Sequence, residues 1–232
     1  MPTDIVKNLH EVQENIAAAQ GRSDRAAKRV LLVAVTKNHD VAAMRAAIDA
    51  GVTDIGENRI QEAKAKRGIL DRAVRWHLIG HLQTNKVKQA VAYFDLIHSI
   101  DSIHLAEAVD KAAAAQGKVQ EILLQVNLAK EDTKSGVYEE DLPSLVADVE
   151  RRKNLRLRGL MCIAPNYDEV ETCRPLFRRM KELFQELKEQ VGERIAYLSM
   201  GMTHDYPIAV EEGANILRVG TAIFGQRDYS RG

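Results

Sequence analysis

Lys37 closes the run VLLVAVTK at Val30–Lys37, a nearly continuous apolar stretch. Such a run reads as a strand buried on both faces of a parallel sheet. A lysine at its C-terminal end sits at the rim of a core. Desolvation there disfavours the ammonium and makes free amine available near neutral pH. A free amine can form a Schiff base with a carbonyl. The plainer reading is a lysine whose head snorkels to water. Near the other end of the chain stand two short segments rich in glycine and hydroxyls, LSMGMTHD at Leu198–Asp205 and RVGTAIFG at Arg218–Gly225. Ser199, Gly201, Thr203, Gly220 and Thr221 there suit an anion, because glycine lets backbone approach closely and a helix start offers N–H groups. Their plainer role is turn geometry alone.

The elements that must position these residues follow from periodicity. Strand-like runs are expected at Val30–Thr36, Thr53–Gly56, Arg75–Ile79, Asp95–Ile100, Val119–Asn127, Leu155–Ile163, Ile195–Met200 and Ile216–Val219. Helical patterns separate them at Val41–Ala50, Arg59–Ile69, Leu82–Tyr93, Asp101–Ala115 and Glu139–Arg151, then from Pro165 to about Gln190, and at Thr203–Glu212. A further amphipathic helix precedes them, with Ile5, Leu9, Val12 and Ile16 on one face, Thr3 as N-cap and Gly21 as stop. The alternation predicts a single (β/α)8 TIM barrel with an extra N-terminal helix, residues 1–232 forming one domain. No GxGxxG or GxxxxGK[ST] supports a nucleotide-binding alternative. In such a barrel, chemistry gathers at the C-terminal ends of the strands. Besides Lys37, that rule collects Glu57 and Asn58, His77 and His81, His98 and Ser99, Asn127 and Arg218.

Composition narrows the classes further. Of 232 residues, 33 are basic and 33 acidic, so the formal charge of zero gives no support for a nucleic-acid partner. No apolar run reaches membrane-spanning length, and the acidic first helix is unlike a signal or transit peptide. Cytoplasm is the expected compartment. Cys162 and Cys173 lie in apolar or helical patterns and read as buried thiols. His77 and His81 straddle a strand end rather than sharing a helical face, so satisfied polar roles are expected of them and no metal site.

An imine-forming lysine opposite a phosphate cradle suggests an aldehyde that carries a phosphate. Pyridoxal 5′-phosphate fits, and so does a sugar phosphate in an aldolase. Arg218 bears on the choice, since an always-charged arginine facing a pyridine nitrogen would keep it unprotonated and weaken the ring as an electron sink. A salt bridge inside the barrel is its plainer role.

With these residues in view, the chain resembles the pyridoxal phosphate homeostasis protein family over nearly its whole length. The motifs that carry the resemblance are VAVTK at Val33–Lys37, GEN at Gly56–Asn58, WHLIGHLQTNK at Trp76–Lys86, KSG at Lys134–Gly136, RGLMCIAP at Arg158–Pro165, SMGMTHD at Ser199–Asp205 and RVGTAIFG at Arg218–Gly225. Each alone is weak, but in this order they are specific. The resemblance implies a barrel like the N-terminal domain of alanine racemase, with pyridoxal phosphate on Lys37 as a Schiff base. It implies that Gly201, Met202, Thr203, Gly220 and Thr221 hold the phosphate, that Arg218 faces the pyridine nitrogen, and that Asn58 and Ser199 line the cofactor. The family usually has serine where this chain has Thr203, and the hydroxyl is kept.

Alanine racemases need a second domain and a partner's tyrosine as the second acid/base, and the sequence ends at Gly232, just after the eighth unit. Racemisation needs a group on each face of a planar intermediate. The expected role is therefore binding, storing and handing over pyridoxal phosphate, with apo-enzymes as recipients, a monomeric chain and no efficient amino-acid turnover. The competing expectations are a weak racemase or other Schiff-base enzyme, and a sugar-phosphate lyase.

Overall fold

The computed structural model describes residues 4–131 and 133–226. Eight parallel strands close into a ring in chain order: β1 (Leu31–Val35), β2 (Asp54–Glu57), β3 (Arg75–Leu78), β4 (Leu96–Ile100), β5 (Gln120–Val126), β6 (Leu155–Cys162), β7 (Tyr197–Met202) and β8 (Ile216–Val219). The ring closes by pairing β8 with β1, Leu31 opposite Ile216 and Val33 opposite Arg218. This is the expected (β/α)8 barrel. An N-terminal helix, α1 (Ile5–Gly21), precedes it. The connecting helices are α2 (Val41–Asp49), α3 (Ile60–Arg67), α4 (Val87–Tyr93), α5 (Ile103–Ala115), α6 (Leu142–Glu150), α7 (Arg174–Val191) and α8 (Tyr206–Glu211), and the single-turn α9 (Thr221–Phe224) follows β8.

Strand period sorts the side chains into two cores. Outward residues such as Ala34, Ile55, Leu78, Ile97, Leu198 and Leu217 join the helices in one large apolar shell. Inward residues Val33, Leu96, Leu123, Met161 and Ile216 form a small separate cluster inside the ring. Leu31, Ile163 and Tyr197 pack against that cluster, and polar side chains share the interior with it. At its N-terminal end Arg75 and Arg158 lie on the Tyr197 ring and both pair with Glu121. A closed ring of this size is filled by side chains, so within the ring ligand space lies towards its mouth.

Differences from the expected elements have local causes. Thr3 as N-cap lies outside the described residues, and the Asp4 carboxylate accepts the Lys7 N–H at 3.0 Å as the cap. The long patterns before α4, α6 and α7 open with 3-10 turns at Thr84–Lys86, Glu139–Asp141 and Val170–Cys173. Strand β7 runs two residues further than expected and α8 starts three residues later, with Pro207 in its first turn. Gly201 therefore lies inside a strand rather than in a loop.

Candidate functional site

A pocket of about 280 Å³ opens at the C-terminal mouth where β8 closes on β1. That is near the lower end of the range usual for small-molecule sites. Lys37, Asn58, Met202, Thr203, Arg218, Gly220 and Thr221 line it, so seven of the nine residues proposed from sequence share one cavity. Val35, Ile79 and Ile163 give it apolar walls, and His39 and His204 complete the rim. Neither histidine carried a signal in the sequence. His39 stacks on Phe224 with ring centroids 4.7 Å apart, a long-range contact that no local pattern announces.

Two residues of the proposed set stand outside the lining. Ser199 is fully buried within the barrel, where its hydroxyl meets Arg218 Nη1 at 2.6 Å and His98 Nδ1 at 3.0 Å. Gly201 has φ +94°, and a Cβ there would lie 2.6 Å from Ala209 Cβ. Its glycine serves the packing of β7 against α8.

Lys37 follows β1 by two residues, and a buried charge cluster grips the backbone on both sides of it. Lys66 Nζ donates to Thr36 O at 2.7 Å, to Glu57 Oε1 at 2.8 Å and to Glu62 Oε1 at 2.6 Å. Thr36 Oγ1 donates to Glu57 Oε1 at 2.6 Å. Asn38, held at φ +63°, donates its N–H to Glu62 Oε1 at 2.5 Å. Burial pushes the Glu57 carboxyl above its ordinary value, opposed by Lys66 and Thr36. Asn tolerates this left-handed backbone better than most residues, so the position after the lysine has a conformational role. The chain at Lys37 is thereby fixed from α3. Gly80, two residues past β3, lets the backbone pass close to Asn58, since a Cβ there would lie 2.5 Å from Asn58 O.

Arg218 occupies the floor of the pocket and is buried. Its Nη2 donates to Cys162 O at 2.8 Å and its Nη1 to Ser199 Oγ. Burial lowers its pKa from the ordinary value, but an arginine still stays charged. It has N–H groups and no acceptor, so any ligand atom facing it must accept. Across the pocket, Thr203 and Gly220–Thr221 come from neighbouring loops. Thr203 Oγ1 accepts the Ala222 N–H at 3.4 Å, and Asp205 Oδ1 folds the turn after β7 by accepting the Met202 N–H at 2.6 Å. Burial raises the Asp205 carboxyl. Cys162 and Cys173 are buried, their thiols pushed up to about 12 by burial, and neither lines the pocket. Among the described residues no three His, Cys, Asp or Glu side chains are grouped to hold a metal.

The pocket lies within a chain whose relatives are recognisable. The family model of the alanine racemase N-terminal domain matches residues 8–228. A pyridoxal phosphate homeostasis protein of Aquifex aeolicus is 39% identical over 96% of this chain and 98% of its own length. The Escherichia coli protein of that name is 38% identical over 98% and 99% respectively. Among solved structures, PipY of Synechococcus elongatus with pyridoxal phosphate bound superposes with a TM-score of 0.84 at 38% identity, covering 96% of this chain and all of that one. The chain thus belongs to the pyridoxal phosphate homeostasis protein family, built on the alanine racemase N-terminal domain.

Proposed function

We propose that this protein binds pyridoxal 5′-phosphate at the mouth of its barrel, stores it and hands it on, without efficient amino-acid turnover. One observation carries the reading: a lysine, a buried donor-only cation and two hydroxyl-bearing loops converge on one pocket of about 280 Å³. That donor set matches a small aldehyde with a ring nitrogen at one side and a phosphate at the other. The names of the relatives and the cofactor in the PipY structure support it.

In this reading Lys37 holds the cofactor covalently. Thr203, Gly220 and Thr221, with Met202 beside them, receive the phosphate. Arg218 faces the ring nitrogen and keeps it unprotonated, Asn58 lies against the ring, Ser199 orients Arg218, and Gly201 shapes the turn behind the phosphate. Bound, the cofactor supplies an electrophilic carbon and an electron sink, and a deprotonated ring nitrogen makes that sink weak. Besides Lys37, His39 and His204 are the pocket side chains able to carry a proton, and it is the relatives named as homeostasis proteins that favour holding over turnover. Residues 1–232 act as one domain, as a monomer in the cytoplasm, with apo-enzymes as recipients. Among the described residues no helix is long and apolar enough to cross a membrane.

The test is a visible spectrum of purified protein before and after borohydride, with mass mapping of the modified peptide. A yellow protein whose cofactor becomes fixed to Lys37 is expected. A protein that stays colourless and unmodified after pyridoxal phosphate is added overturns the reading. Transfer to an apo-enzyme, measured beside chirality change in single enantiomers of amino acids, separates carrier from racemase.

A further inference from the structure

The hydrogen bond between Arg218 and Ser199 is the last link of a longer chain. His98 Nδ1 lies 3.0 Å from Ser199 Oγ, His98 Nε2 lies 2.9 Å from His77 Nδ1, and His77 Nε2 lies 2.7 Å from Asp54 Oδ1. Asp54, His77, His98, Ser199 and Arg218 are all buried. They come from β2, β3, β4, β7 and β8, and the chain passes from near the N-terminal end of the ring to the floor of the pocket.

The proton positions in this chain follow from its two ends. Burial lowers the pKa of both histidines, opposed at His77 by the Asp54 carboxylate, so both rings are neutral. Burial raises the Asp54 carboxyl, but the hydrogen bonds from His77 and Thr53 outweigh it and hold Asp54 ionised. An ionised carboxylate only accepts, so His77 carries its proton on Nε2 and leaves Nδ1 bare. His98 must then donate from Nε2 and present a bare Nδ1 to Ser199. The Ser199 hydroxyl donates to that nitrogen, which turns its oxygen lone pairs toward Arg218, a group that can only donate. Every link points from Arg218 towards Asp54, and no donor or acceptor in the chain competes with another. Aligned links of this kind strengthen one another in a dry interior.

We infer that Asp54, His77 and His98 are positioning residues: a one-directional hydrogen-bond relay through the barrel that commits Ser199 to Arg218 and so fixes the guanidinium against the ring nitrogen of a cofactor in the pocket. The inference rests on the pocket being a pyridoxal phosphate site. None of the three lines the cavity; they act on it through Ser199 and Arg218. The relay also explains why a barrel interior otherwise filled by Val33, Leu96, Leu123, Met161 and Ile216 contains a line of polar groups.

The tautomers are read first, by ¹⁵N–¹H NMR of histidine-labelled protein without cofactor. Protons on Nε2 and bare Nδ1 atoms are expected for both His77 and His98. A proton on His98 Nδ1, or two on His77, reverses the chain and overturns the relay. The ring nitrogen of ¹⁵N-labelled pyridoxal phosphate is then observed in loaded protein. Wild type is expected to show an unprotonated nitrogen. His98→Leu removes two links, and its resonance is expected to move towards the protonated position. His98→Gln can still donate to His77 and accept from Ser199, so it is expected to restore the wild-type resonance. If the leucine variant does not fold, Ser199→Ala cuts the neighbouring link and must show the same shift. Identical resonances in wild type and the severed variant overturn the relay while leaving the binding site intact. A wild type that takes up no cofactor overturns the binding reading, and this assignment with it.

Discussion

Lys37 and Arg218 divide the pocket between them, one offering an amine that can be covalently occupied and the other a charge that cannot be removed. Substitution should separate these roles. Lys37→Ala is expected to change unfolding stability by no more than about 0.5 kcal/mol, as for a side chain outside the core. Its colour should no longer be fixed by borohydride, as absorbance and peptide mass will show. Gly201→Ala is a test of packing rather than of binding. Its φ of +94° and the 2.6 Å approach of Ala209 Cβ leave no room for a methyl group. A loss of about 1–3 kcal/mol is expected in urea unfolding. Little loss would return Gly201 to a direct role at the phosphate. His98 sets a pH dependence. Its pKa in the folded protein lies well below the ordinary 6.5. Below pH 6.5 the unfolded chain therefore binds a proton that the folded chain does not. The stability is present above that value and falls as the pH drops towards the folded pKa. In urea unfolding below pH 6.5, wild type should lose stability more steeply than His98→Gln, the difference in slope approaching about 1.4 kcal/mol per pH unit.

At the scale of elements, α3 holds the backbone on either side of Lys37. Lys66 neutralises Glu57 and Glu62 while it fixes Thr36 O. Lys66→Met leaves two carboxylates facing each other in a buried place, and a loss of about 3–5 kcal/mol is expected. Adding Glu57→Gln should recover part of it, and denaturant midpoints of the two variants will tell. An unchanged midpoint in Lys66→Met would remove the clamp from the account. The elements themselves were largely legible in the sequence. Strand β8, Ile216–Val219, falls where it was expected, with Arg218 the polar residue in an otherwise apolar run. Strand β7 was misjudged because a glycine at positive φ reads as a turn, although here it lies within the strand. Pro207 was the available sign that α8 starts late, since proline belongs in the first turn of a helix. The Lys66 cluster and the His77–His98 contact were not legible. Only the Glu62–Lys66 pair, four apart on one helix, follows from spacing; the other contacts exist because neighbouring strands and helices bring together residues 9 and 30 positions apart around Lys66, and 21 apart for the histidines.

For the whole molecule, the barrel decides where a ligand can sit. Its interior is filled, so the mouth is the remaining place, and α1 supports that mouth from outside: Asn8 Nδ2 donates to Ile223 O in α9 at 2.9 Å. A ligand held by Lys37 on one side and by Thr203 and Thr221 on the other joins the two edges that close the ring. By mass action, pyridoxal phosphate at a hundredfold excess over its Kd should raise unfolding stability by about 2.7 kcal/mol. Calorimetry against cofactor concentration checks this, and a melting temperature indifferent to cofactor would exclude binding to the folded form alone. The seam between β1 and β8 has a further consequence for biosynthesis. A chain made from its N-terminus displays Lys37 long before Arg218 and Thr221 have been translated. If Thr203, Gly220 and Thr221 hold the phosphate as proposed, an exposed amine on a half-made barrel has no phosphate grip beside it and would retain the aldehyde only weakly. On that reading, capture waits for the eighth strand to meet the first, and a loaded protein would by that fact be a finished one.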